Sequence, residues 1–218
     1  MNRDEFMKSC LTGTHFEPSE YNNGENGLGV TTEVQYNGAL VRKGLHLIRN
    51  PFRIVELRFL YLSHYYSGEL DWPILYNANS VGLYTFCSDA KEKFGEEEKK
   101  WHWSEDVKAA ADVPCHHEFY KIIQWHNYVV DIMEYMDIPY EHFYFEDFDL
   151  DYENQVRKYL DFFEVAPIVK LSDAKKEYDL EQREELFKPE DKVKIKSFIE
   201  AIATNKTLAL LNRYLKDF

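Results

Sequence analysis

Arg49 is followed by Asn50, Pro51 and Phe52, and these residue types in this order can hold an anion. An arginine guanidinium is planar, stays charged at any relevant pH and can bond two phosphate oxygens at once. Asn50 is a good N-cap, and Pro51 at a first helical position loses no hydrogen bond, so the pair predicts a helix start. A helix start supplies unpaired N–H groups that favour negative charge. Arg53 and Arg58 add local positive charge along the same segment. The chemistry on offer is the binding of a phosphate-like group by Arg49, Asn50, Arg53 and Arg58. In the competing reading Arg49 pairs with a carboxylate and Arg53 and Arg58 are solvated, and residue types alone leave both open.

A second group, Cys115-His116-His117-Glu118 with His126, has metal-ligand residue types. Its spacing matches neither H-E-x-x-H nor a paired-cysteine motif, so buried or capping histidines at a helix start are expected and no metal is. The 3 cysteines, Cys10, Cys87 and Cys115, have no C-x-x-C spacing and define neither a disulfide framework nor a zinc ribbon. Trp125 has the shape to stack adenine or a sugar, but its apolar surroundings predict a core position.

The elements that must position Arg49 are predicted on either side of it. Leu45–Ile48 is a short apolar run, read as a strand, and Phe52–Tyr66 carries apolar residues at helical spacing. Cys115–Met136 reads as a mostly buried helix, ended by Asp137-Ile138-Pro139. Phe143–Glu146 reads as a second buried strand, after which Asp149 or Asp151 caps a helix with Val156, Tyr159, Leu160 and Phe163 inward. Residues 189–214 predict two helices broken near Ala203-Thr204-Asn205, the first with Val193, Ile195, Phe198, Ile199 and Ile202 on its inner face. Alternation of strands and helices predicts an α/β class with a parallel sheet flanked by helices. Residues 17–38 read as a surface loop, and 88–108 as a charged insertion that is a solvated helix or mobile.

The chain has 218 residues, 44% hydrophobic and 16% aromatic, enough for one core, and a single domain over 1–218 is expected. Its net charge of -13 argues against broad binding to nucleic acid or an anionic membrane, so an anionic ligand needs a local cationic pocket. No apolar run is long enough to cross a bilayer, and the first residues carry no apolar signal-peptide core.

Several separated stretches resemble the sulfotransferases that use 3′-phosphoadenosine 5′-phosphosulfate (PAPS). Gly44-Leu45-His46-Leu47-Ile48-Arg49-Asn50-Pro51-Phe52 is similar to the segment where a strand ends in Arg-Asn/Asp-Pro before a helix. His142-Phe143-Tyr144-Phe145-Glu146-Asp147-Phe148, followed by Val156–Phe163, resembles that family's strand–helix unit. Pro114–Tyr120 and Gln124-Trp125-His126-Asn127 are similar to a segment of the sulfotransferases found beside WSC carbohydrate-binding domains, and Phe187–Tyr214 to the family's last helices.

The resemblance implies a P-loop-NTPase-like sulfotransferase fold, PAPS as cosubstrate, no metal, and transfer of a sulfuryl group to a hydroxyl acceptor, with carbohydrate foremost. It implies that Arg49 holds the nucleotide's 3′-phosphate. It also exposes departures. No Lys-Ser/Thr-Gly-Thr turn follows an apolar strand to hold the 5′-phosphosulfate, and Leu57 stands where a serine is expected. The upstream histidine, His15 in Thr12-Gly13-Thr14-His15, lacks the lysine of the family's base element and reads as a loop residue. The catalytic residues are therefore unassigned, and the expected chain is N-terminally incomplete and impaired in transfer, with a partner chain as one way to complete its sheet. The alternatives are a non-catalytic domain that binds a nucleotide, a glycan or a protein, and an incomplete coding sequence.

Overall fold

The computed structural model describes residues 41–65, 76–99, 103–168, 185–216 and 218. His15, the 17–38 loop and residues 100–102 of the charged stretch lie outside them. In order the elements are β1 (Gly44–Ile48), α1 (Pro51–Tyr65), α2 (Ser80–Glu98), α3 (Glu105–Ala110), α4 (His116–Tyr135), β2 (Tyr140–Tyr144), α5 (Asp147–Phe163), α6 (Pro189–Ile202) and α7 (Asn205–Leu215). The class is mixed α/β, mostly helical, with a two-stranded parallel sheet of β1 and β2 among the described residues.

The chain divides into two compact units. The larger comprises His46–Asp131 and His142–Phe218, and of the smaller, residues 41–45 and 132–141 are described. In the smaller unit the Gly44 N–H donates to the Pro139 carbonyl at 2.9 Å, and α4 ends in a turn where the Ile138 N–H returns to the Met133 carbonyl. Asp137 takes a left-handed φ of 51° at that turn, a conformation that Asp tolerates better than most residues.

In the larger unit, β1 and β2 are joined at their far ends by the Phe145 N–H donating to the Ile48 carbonyl at 2.9 Å. β1 alternates buried and exposed residues, with His46 and Ile48 inward and Leu45 and Leu47 outward, the period of two that gives a strand one core face. α1 follows with Phe52, Val55, Phe59 and Leu60 buried, the three-and-four spacing of one helix face. That face also carries Glu56, fully buried, whose Oε1 accepts the N–H groups of Leu186 at 2.7 Å and Phe187 at 3.2 Å. A buried carboxylate is tolerated when its oxygens are bonded and its charge is matched, and Arg53 supplies the match to Oε2 at 2.7 Å.

The charged stretch is not separate from the core. Residues 88–98 continue α2, which is anchored by Leu83 and Cys87, and Cys87 is disulfide-bonded to Cys115. Cysteine spacing defines no disulfide framework, yet this pair is bonded: the partners are separated by 28 residues and are brought together by the packing of α2 beside the start of α4. Trp125 is 52% exposed rather than in the core, because the buried face of α4 runs through Phe119, Ile123, His126 and Val130. Val193 and Phe163, both expected inward, are 51% and 37% exposed. In α5 the backbone at Asp151 is non-helical (φ −152°, ψ 68°), so a first turn from Asp147 is followed by a second helical segment, with Tyr159 buried. Asn127 on α4 fixes the break between α6 and α7: its amide donates to the Ile202 carbonyl at 3.0 Å and accepts the Thr204 N–H at 2.9 Å. Thr204 then caps α7 by accepting the Thr207 N–H.

Candidate functional site

Arg49 lies one residue beyond β1 and two before α1, at the carboxyl end of a strand in a parallel pair. This is where ligands bind in open α/β sheets, because strand ends and helix starts converge there. Its guanidinium lies 4.0 Å from the centre of the Phe145 ring, just beyond β2. That distance is within the range of a cation–π contact, which helps hold the side chain in place.

Asn50 does what the sequence predicts: its Oδ1 accepts the Phe52 N–H at 3.0 Å, and its carbonyl accepts the Ile54 N–H at 3.0 Å. The helix start is less open than residue types suggest. The Asn50 N–H itself donates to Glu146 Oε1 at 2.9 Å, so a carboxylate from the end of β2 already bonds this corner. Glu146 Oε2 accepts the Tyr214 hydroxyl, whose pKa is pushed well above the usual tyrosine value, first by burial and then by this bond. Beside it Arg213 grips Asp147 with both terminal nitrogens, at 2.6 and 3.2 Å, and lies over the Tyr144 ring.

The four predicted anion-site residues are engaged differently. Arg49 and Asn50 share the strand-end corner. Arg53 is committed to Glu56, and Arg58 pairs through Nε with Glu118 Oε2 at 3.0 Å, half-exposed. Leu57 is partly buried on α1. Glu146, Tyr214 and Arg213 enter the corner without having been singled out from the sequence. The strand–helix pattern carries Glu146, but nothing local ties it to Asn50 or to Tyr214. A surface cleft of about 470 Å³ lies elsewhere, along Ser80, Tyr84, Ser88, Asp89 and Lys188, and none of the four predicted residues lines it.

Histidines form two further groups. His46 Nε2 and His126 Nδ1 are 2.7 Å apart, with the His142 ring 5.4 Å from that of His46. Burial, then the facing imidazoles, lowers His46 to about 3, and burial and then His142 lower His126 to about 4. At neutral pH these are uncharged rings that share protons by tautomer choice, a core arrangement rather than a cation site. The second group joins His116 and His117 to Glu98.

In comparisons with known proteins, no family model matches the chain, and neither a curated protein nor a solved structure does.

Proposed function

We propose that this protein is a sulfotransferase-like domain that binds the 3′-phosphate of an adenosine 3′,5′-bisphosphate nucleotide at Arg49. The observation that carries the reading is Arg49 itself, at the carboxyl end of a parallel strand, over the Phe145 ring and adjoining a capped helix start. The resemblance of Gly44–Phe52 and His142–Phe148 to the PAPS-dependent enzymes supplies the ligand class. Transfer of a sulfuryl group from PAPS to a carbohydrate or other hydroxyl demands a second grip on the 5′-phosphosulfate and a positioned base. The sequence carries no Lys-Ser/Thr-Gly-Thr turn for that grip, so transfer by this chain needs the grip from elsewhere, such as a partner chain, and its base is unassigned.

Nucleotide choice tests the reading. A grip on the 3′-phosphate makes adenosine 3′,5′-bisphosphate bind at least about tenfold more tightly than adenosine 5′-monophosphate, since a charge-assisted phosphate contact contributes about 1.5–3 kcal/mol. Equal affinity for the two nucleotides contradicts it.

A second reading, a domain of this kind that binds without transferring, is favoured by the commitment of Arg53 to Glu56 and Arg58 to Glu118. Those pairings leave less positive charge for a transition state. Sulfuryl transfer from PAPS to a panel of glycans and simple alcohols separates the two readings, because turnover excludes the second.

A further inference from the structure

We propose that Glu98, His116 and His117 form a binding site for a divalent transition-metal ion, zinc foremost. The three side chains come from the end of α2 and the first turn of α4, and one ligand atom from each lies within 4.8 Å of the others. Glu98 Oε2 is 2.9 Å from His116 Nε2 and 3.1 Å from His117 Nε2. In a tetrahedral zinc site, with bonds of about 2.0–2.1 Å, neighbouring ligand atoms are about 3.3 Å apart. Those two edges lengthen slightly, and the edge between the two imidazoles, which lies within 4.8 Å, draws in to the tetrahedral spacing for one ion to sit among the three atoms.

Adjacent residues on a helix point about 100° apart, so two consecutive histidines do not ordinarily aim at one atom. Here they do, with ring centres 3.8 Å apart and Cys115 directly before them in a left-handed conformation, φ 56°. Cys115, directly before His116, is bonded to Cys87, about three helical turns before Glu98 on α2, so the disulfide ties the helix that carries Glu98 to the start of α4. Preorganisation of this kind lowers the ordering cost of binding.

The surroundings suit a metal as well. His116 and His117 are 1% and 2% exposed, and Phe94, Trp103 and Phe198 close around their rings. Apolar walls limit the exchange of a bound ion's ligands with solvent. Two imidazole nitrogens and one carboxylate oxygen make a borderline donor set, suited to zinc, cobalt or copper and poorly suited to magnesium or calcium, which prefer oxygen alone. Three protein ligands leave the fourth position to water or another small ligand. The competing arrangement is a purely hydrogen-bonded trio, in which both rings donate to one carboxylate oxygen.

The full chain, freed of metal by a chelator and then dialysed, is titrated with Zn²⁺ against a chromophoric chelator, and separately with Co²⁺ while its visible absorption is followed. No nucleotide is present, so the result is independent of the reading at Arg49. The expected result is one equivalent of zinc per chain, with Co²⁺ showing the absorption of a low-coordinate nitrogen–oxygen site. Glu98→Gln and His117→Gln each weaken binding by about a hundredfold, at least the effect seen for groups that only support a ligand. Failure of the wild-type chain to bind one equivalent overturns the proposal, whatever the variants do. So does tight binding that survives in the folded double variant, because the ion then lies elsewhere.

Discussion

The carboxylate of Glu146 accepts the main-chain N–H of Asn50 at 2.9 Å, tying the end of β2 to the start of α1. Negative charge at a helix start is stabilising, and here the protein supplies it from within. A phosphate approaching Arg49 meets this carboxylate as a like charge. Glu146→Gln keeps the shape and an acceptor oxygen but removes the charge. It is expected to tighten adenosine 3′,5′-bisphosphate binding by about two- to fivefold, equivalent to roughly 0.3–1 kcal/mol. Calorimetry checks this, and a loss of affinity in a folded Glu146→Gln variant runs against it.

Glu56 is the buried charge on which the start of α1 depends, since it serves Arg53 and the N–H groups of Leu186 and Phe187 together. Removing one partner of a buried pair leaves the others unmatched, so Glu56→Ala is expected to lower stability by about 3–5 kcal/mol. The urea midpoint and slope measure it. A change below about 1 kcal/mol would mean that water replaces the carboxylate at little cost.

The Cys87–Cys115 bond closes a separation of 28 residues. Restricting the unfolded chain to that extent is worth about 3–4 kcal/mol by the loop-entropy relation. The double variant Cys87→Ala/Cys115→Ala should lose stability of that order in equilibrium unfolding, and an unchanged midpoint would show that the bond contributes nothing.

The buried rings of His46 and His126 make stability depend on acid. Their folded pKa values, about 3 and about 4, lie below the unfolded value near 6.5. Between those limits the unfolded chain binds more protons, so the stability is complete above about pH 6.5 and declines as pH falls toward 4 and then 3. Unfolding midpoints at a series of pH values read this directly. His126→Gln should flatten the decline relative to wild type, and an identical slope in both would remove these rings from the account.

What was legible in the sequence was local. Asn50-Pro51 states a helix start in its own side chains, and the short apolar run Leu45–Ile48 states a strand; α1 begins at Pro51 and β1 spans Gly44–Ile48. The turn at Ala203-Thr204 was equally plain, although Asn127, which secures it, was not. The unreadable part depends on pairing across the fold. Glu98 stands in an acidic run that looks solvated, yet it meets two buried histidines, and Cys87 meets Cys115 between the same two helices. Likewise Arg53 looks like a spare cation until Glu56, three residues on, proves to be turned into the core. The exposure of Trp125 has the same origin, because which face of an apolar helix is buried is decided by its neighbours rather than by its own composition.

The most direct test is calorimetric titration of adenosine 3′,5′-bisphosphate into wild type, Arg49→Ala and Arg58→Ala. Arg49→Ala is expected to weaken binding by about one to two orders of magnitude, the cost of one charge-assisted phosphate contact. Arg58, half-exposed and paired with Glu118, should matter little. Leu57→Ser, which restores the hydroxyl expected of the resembled segment, should tighten binding. Equal affinity in wild type and Arg49→Ala, or no binding by the folded wild-type chain, would contradict the account.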